Sequence, residues 1–420
     1  MYQRTVLDNQ LRVITSSMPH SPSVSMIIAV GAGSRYEPEE LAGLSHFLEH
    51  LPFKGTRNWT TAREVSEAIE GVGGIMNAST DREITVFWCK VARLHFRQAF
   101  AVLLDMVLHP LLDPEEMEKE REVIQEELRM TNDYPTQRVD LLIDEALWPE
   151  QAMGRDVGGT PESVSNITLD DVRAYMHRQY NPANTVVTVV GNVNHDEVVD
   201  LLHEATLDWQ PQESLAWEPA TNGGTEPVVR LEQKRTDQSH ICLGLEGISL
   251  SDPDRYPCAI MNGILGDGMS SRLFLNLRER QGLAYDVASS LNHFLDCGSL
   301  VVYCGVEPRK VTEAVQAMVS ELNGMRAEVC LPELTKAKEY AKGRLLLRME
   351  DTRSVASWLG TQDLLLGSIA TVDEVIEQID RVEAADVARV AQRVLNEDKL
   401  RLAVVGPHRS DKSLRRLLRF

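Results

Sequence analysis

Residues 44–50 read Leu-Ser-His-Phe-Leu-Glu-His. On a helix, His46 and His50 stand at i and i+4, so both imidazoles leave one face about one turn apart. That spacing lets a tetrahedral zinc ion take two nitrogens from a single element. Glu49 lies three residues after His46 on nearly the same face and can reach a water on the metal without being a ligand. Zinc lowers the pKa of such a water to about 7, and a carboxylate beside it can accept the proton during attack on a carbonyl. The order H-x-x-E-H is the reverse of the H-E-x-x-H pattern and is known as an inverted zinc-peptidase motif. With 11 histidines in 420 residues, the pattern arises by chance on the order of 0.03 times.

A catalytic zinc takes a third protein ligand and keeps a fourth position open. The segment from Glu115 to Met130, EEMEKEREVIQEELRM, is predicted as a helix whose glutamates mostly form a solvated face. Glu120 and Glu127 are two turns apart on one side, and Val123, Ile124 and Leu128 supply the apolar side expected to dock it. A carboxylate turned inward there is costly unless it meets a charge such as a metal. On these grounds Glu120, Glu126 and Glu127 all remain open as the third ligand. No cysteine lies near the motif, which argues against a closed, cysteine-rich structural site.

The elements that must position these groups follow from pattern. Strands are expected at Thr5–Leu7, Leu11–Thr15, Ser23–Val30 and Glu83–Val91. Helices are expected over about Gly43–Leu51, from the Thr60-Thr61 cap to near Gly71, and over Leu94–Leu108 and Pro114–Met130. The stretch from Trp209 to Pro227 is rich in Pro, Gly, Gln and Glu and has no periodicity, so it reads as a linker. At a constant offset of 215, residues 171–191 align without gaps on 386–406, with seven of 21 positions identical and a shared closing Val-Val-Gly. Both copies read as helix, turn and strand, which points to an internal duplication. The expectation is therefore an α+β protein of two similar domains, 1–208 and 228–420, joined by 209–227. Each should be a mostly antiparallel sheet with helices packed on one face.

Length supports two cores rather than one. A net charge of −20 argues against broad nucleic-acid binding, which needs a basic surface. The six cysteines are scattered with no CxxC pair, as expected of reduced thiols rather than a disulfide framework. No signal peptide, transit segment or apolar run of about 18 residues is visible, so a soluble cytoplasmic protein is expected, without a membrane partner.

The chain resembles the pitrilysin/insulinase peptidases, a family that includes the mitochondrial processing peptidase. The likeness runs through LDNQLRVIT, GSRYE, GLSHFLEHLPFKGT, GGIMNAST, EREVIQEE, YNPANTVVTVVGNV and SSRLFLNLRERQGLAYDV, in the family's order across nearly the whole chain. The resemblance implies one zinc per chain. Its third ligand would be the glutamate 77 positions after the second histidine, here Glu127, supported by Glu120 seven residues earlier. It implies that Arg278 and Tyr285 hold substrate and the tetrahedral oxyanion, and that Asn77 and Ala78 present an edge strand to the substrate backbone. It also implies an endopeptidase acting on peptides or unfolded segments. Members of this length pair, and a chain with the zinc set and the Arg-Tyr pair both present is expected to form a homodimer. The alternative, a non-catalytic partner subunit, should have lost a ligand or the base, and none is lost. Three departures stand out. LDNQL replaces an Asn-Gly turn, Phe87 replaces a tyrosine, and Pro52 is expected to drive Leu51 out of helical geometry and end the ligand helix.

Overall fold

The computed structural model describes residues 2–221, 224, 226–327 and 329–420. The first half begins with strands β1 (Tyr2–Val6), β2 (Arg12–Ser17) and β3 (Ser23–Val30), followed by helices α1 (Leu44–His50) and α2 (Ala62–Glu70). Strands β4 (Ile75–Thr80) and β5 (Thr85–Ala92) come next, then helices α3 (Phe96–Leu108), α4 (Pro114–Asp133) and α5 (Pro135–Leu147). Helices α6 (Pro161–Asn166) and α7 (Leu169–Gln179), strand β6 (Thr185–Gly191) and helix α8 (His195–Ala205) complete it.

The second half repeats the order. It has β7 (Val228–Gln233), β8 (Ser239–Glu246), α9 (Arg255–Leu265), a π-helical stretch Phe274–Arg280, β9 (Ala284–His293) and β10 (Gly298–Val306). Helices α10 (Val311–Met325), α11 (Leu331–Arg348), α12 (Thr352–Leu366), α13 (Val372–Arg381) and α14 (Ala384–Val394) follow, then β11 (Arg401–Gly406) and α15 (Lys412–Arg415). The offset of 215 holds at the element ends of the segment that revealed it and persists at α3 and α10, well outside it. Helix α7 starts at Leu169 and α14 at Ala384, β6 and β11 end at Gly191 and Gly406, and α3 and α10 start at Phe96 and Val311.

The first sheet has six strands in the order β1-β2-β6-β3-β5-β4, and the second has five in the order β7-β11-β8-β10-β9. One pair in each is parallel, β2 with β6 and β7 with β11, and the rest are antiparallel. The architecture is thus the expected α+β pair of sheets. No helix or strand falls in the expected linker among its described residues; 222, 223 and 225 lie outside them.

The compact units depart from contiguous halves. One comprises Met1–Leu128, Asp156–Glu218 and Leu346–Ala370; the other comprises Arg129–Arg155, Pro219–Leu345 and Thr371–Phe420. The reason is the two-sided burial of the central strands. Within the first unit, Val24, Met26, Ile28 and Val30 of β3 join the core under that half's own helices. Ile27 and Ala29 point the other way and, with Ile14, Val186 and Val190, pack on Ala356 and Leu359 of α12. Asp363 of α12, fully buried, takes Arg4 at 2.7 Å and Arg12 at 3.5 Å. In the second unit the equivalent helix, α5, lays Val139, Leu142 and Ile143 on Cys242, Val301, Ala403 and Val405. Gly244 of β8 permits this approach, since a Cβ there would stand 2.7 Å from Ile143. Each half's own helices cover one face of its sheet, and one helix from the other half covers the second.

Local expectations hold with small shifts. The Thr61–Glu64 capping box opens α2. Strand β5 starts at Thr85 rather than Glu83, because Glu83 is buried in an ion pair with Arg35 at 2.5 Å. Helix α3 starts at Phe96 after a 3₁₀ turn, Arg93–His95. Ile124 and Leu128 dock α4 as expected, joined by Met117, whereas Val123 does not: it is 43% exposed. Leu51 keeps helical angles (φ −61°, ψ −37°), contrary to the expectation from Pro52. The chain instead tightens into a 3₁₀ turn, Leu51–Lys54, whose first residues tolerate a missing amide. In the first hairpin, Gln10 takes the left-handed angle (φ 73°) that a glycine would adopt without strain. Of the six cysteines, Cys330 is exposed and Cys297 half-buried, and the rest are buried.

Candidate metal centre

Helix α1 buries Leu44, Ser45, Phe47 and Leu48 and leaves His46, Glu49 and His50 half-buried on the remaining face. Seven residues are too few for a helix to hold itself in water, so its start is tied from outside. The buried carboxylate of Glu37 accepts the backbone N–H groups of Gly43 at 2.7 Å and Ser45 at 2.6 Å. Behind it, the Ser45 hydroxyl bonds to the phenol of buried Tyr175 at 2.7 Å.

The two imidazoles face each other through their Nε2 atoms, 3.3 Å apart. A carboxylate oxygen of Glu127, from α4, lies 3.8 Å from the first Nε2 and 3.7 Å from the second. Two nitrogens bound tetrahedrally at about 2.05 Å from one zinc lie ~3.3 Å apart, so the histidine spacing fits without adjustment. Among the described residues, His46, His50 and Glu127 form the group of three whose donor atoms converge in this way. Burial, and then His50, push the His46 pKa down to about 4, so its ring is neutral near pH 7, as a ligand must be. Nδ1 of His50 meets Glu120 Oε2 at 3.0 Å, the outer hydrogen bond that metal-bound histidines usually make. Nδ1 of His46 is buried with no such partner among the described residues.

Glu120 is buried at 4% exposure and also meets the Lys54 ammonium at 2.5 Å. Glu127 keeps 46% of its side chain exposed. Of the three glutamates left open by the sequence, Glu127 therefore faces the nitrogens directly and Glu120 backs one of them. Glu49 has its pKa raised, chiefly by burial, against the opposing pull of hydrogen bonds from Thr80 and the charge of His50. That makes it a stronger proton acceptor than a free carboxylate. Thr80, Lys54 and Glu37 were not singled out from sequence. Thr80 and Lys54 act through contacts between segments far apart in the chain, and Glu37 through a loop-to-helix contact with amides six and eight residues on; no motif spacing announces any of them.

Asn77 and Ala78 lie on β4, the edge strand of the first sheet, paired with Trp88 and Phe87 of β5. The Asn77 side chain accepts the Ala78 N–H at 2.8 Å, so a strand added at this edge would compete with it. Arg278 and Tyr285 belong to the second unit. Arg278 sits in the π-helical stretch, its guanidinium 4.9 Å from the Phe274 ring centre and 5.3 Å from that of Tyr285. Tyr285 opens β9 with 75% of its surface exposed. At the positions offset by 215 from His46, Glu49 and His50, helix α9 carries Met261, Ile264 and Leu265, all buried. The duplicated half thus has core residues where the first half has donors.

Residues 12–161 match the family described as Insulinase (Peptidase family M16), and residues 166–340 match the one described as Peptidase M16 inactive domain. An uncharacterized zinc protease of Bacillus subtilis is 34% identical over 97% of this chain and 98% of its own. One from Mycobacterium leprae is 36% identical over 99% and 94%. The fold is shared with the crystal structure of a protease from Helicobacter pylori, at a TM-score of 0.91 and 22% identity over 97% of this chain and 99% of that one. No helix among the described residues is long and apolar enough to cross a membrane. By sequence over its full length, the chain belongs to the insulinase family of zinc peptidases, peptidase family M16.

Proposed function

We propose that the chain is a zinc-dependent endopeptidase that hydrolyses peptides or unfolded polypeptide segments. The observation that carries this is the 3.3 Å approach of the His46 and His50 Nε2 atoms with Glu127 across from both. His46, His50 and Glu127 are the residues that would hold the metal. Zinc there supplies Lewis acidity, lowering the pKa of water and polarising the scissile carbonyl. Glu49 takes the proton of the attacking water and can return it to the leaving amine. The β4 edge at Asn77 and Ala78 binds substrate as an added strand, reading backbone rather than side chains, which suits broad specificity. Arg278 and Tyr285 are assigned as hydrogen-bond donors to the developing negative charge. The assembly we assign is a homodimer.

The test joins metal analysis of the purified protein to peptide-library digestion with and without a chelator. Wild type should carry one zinc per chain, and chelation should abolish cleavage. Glu49→Gln should retain zinc and lose about 10²–10⁴-fold in kcat. Full activity in that variant would remove Glu49 from the mechanism. A wild type that binds zinc yet cleaves nothing would favour the non-catalytic partner subunit instead.

A further inference from the structure

We propose that Lys54 is a positioning residue of the metal centre, acting through Glu120 to fix the ring of His50; this rests on the zinc reading above. Three side chains in series make the case. The Lys54 ammonium lies 2.5 Å from Glu120 Oε1, and Glu120 Oε2 lies 3.0 Å from His50 Nδ1. Glu120 is 4% exposed. A buried carboxylate is expensive without a cation and enough donors. Among the described residues, Lys54 and His50 meet it.

The consequence falls on the ligand. The second nitrogen of a metal-binding histidine usually donates to a neighbour, and a donated Nδ1–H fixes both tautomer and ring plane. Glu120 can hold that bond only if its own carboxylate is held, since three rotatable bonds separate it from α4. Lys54 supplies the anchor by clamping the oxygen that His50 does not use. The backbone delivers it: Lys54 closes the 3₁₀ turn Leu51–Lys54 that follows α1 directly, with Pro52 near the start of the turn. The proline that departs from the family pattern thus stiffens the turn carrying the brace. The Lys54 side chain is 29% exposed and Glu120 5%, so solvent screens the pair less than a surface ion pair.

The test uses the full chain and zinc itself. Zinc affinity is measured by competition with a chromophoric chelator, and the His50 tautomer by ¹⁵N NMR of the metal-free protein. Lys54→Met should weaken zinc about 10–100-fold and turn a single Nδ1–H tautomer into a mixture. Lys54→Arg should restore both. Lys54→Gln, which keeps a hydrogen-bond donor and loses the charge, should fall between and serves if the methionine variant does not fold. A folded Lys54→Met or Lys54→Gln protein with wild-type zinc affinity and a wild-type His50 ring would overturn the proposal. A wild type that binds no zinc would sink the peptidase reading, while the tautomer measurement would still decide the role of Lys54.

Discussion

Tyr285 offers one hydroxyl, and its 75% exposed ring stacks with Arg278 rather than filling a core. A phenol so placed contributes little to stability, so its removal should be read in turnover. Tyr285→Phe is expected to lower kcat by roughly 10²-fold, as loss of one oxyanion donor typically does, with zinc content and unfolding midpoint unchanged. Zinc analysis beside steady-state kinetics checks this. Parallel loss of zinc and turnover would make the tyrosine structural. The contrast with His46 is instructive: that ring is mostly buried and held neutral by its surroundings, so its loss should remove metal and activity together.

Helix α1 has no capping side chain at Gly43, and its first amides rest on Glu37, six residues upstream. The geometry of both histidines therefore depends on a carboxylate in a preceding loop. Glu37→Ala leaves two buried N–H groups without acceptors and should cost about 2 kcal/mol. It should also loosen zinc, because the helix that presents the imidazoles loses its fixed start. Urea denaturation of the metal-free protein together with zinc dissociation rate checks both parts. A variant with lower stability but unchanged zinc release would show that α1 is held by its buried side chains alone. In α2, by contrast, the cap is local, Thr61 with Glu64, and needs no distant partner.

The two units share an exchange of equivalent helices, and this sets what can fold alone. Residues 1–208 contain every candidate zinc ligand, yet lack α12, which covers Ile14, Ile27, Ala29, Val186 and Val190. Expressed alone, that fragment should expose a continuous apolar sheet face and aggregate or remain loosely packed. It would also lack Asp363, the buried partner of Arg4 and Arg12. Size-exclusion chromatography and near-ultraviolet circular dichroism of the fragment check this. A monodisperse, natively packed 1–208 would show that the exchanged helix is dispensable.

The sequence alone determined what is local or periodic. His46, Glu49 and His50 belong to one helical turn, so their shared face follows from 3.6 residues per turn, and the Thr61 cap and the β3 strand were legible for the same reason. The duplication was legible because a gapless offset preserves register. Family resemblance then selected Glu127 from three glutamates that local pattern could not separate. Tertiary structure supplied the geometry, Glu127 across from the nitrogens and Glu120 behind one of them, because that depends on how α4 is rotated against α1. It also decided that Lys54 braces Glu120, that Glu37 starts the ligand helix, and that α5 and α12 trade sheets. Lys54 with Glu120, and α5 and α12 with their sheets, join groups that are distant in the chain, while Glu37 reaches α1 only because the short loop between them folds back. The near-continuous apolar runs of β3, with seven buried residues in eight, and of β6, buried throughout, are traces in the sequence of a sheet covered on both faces.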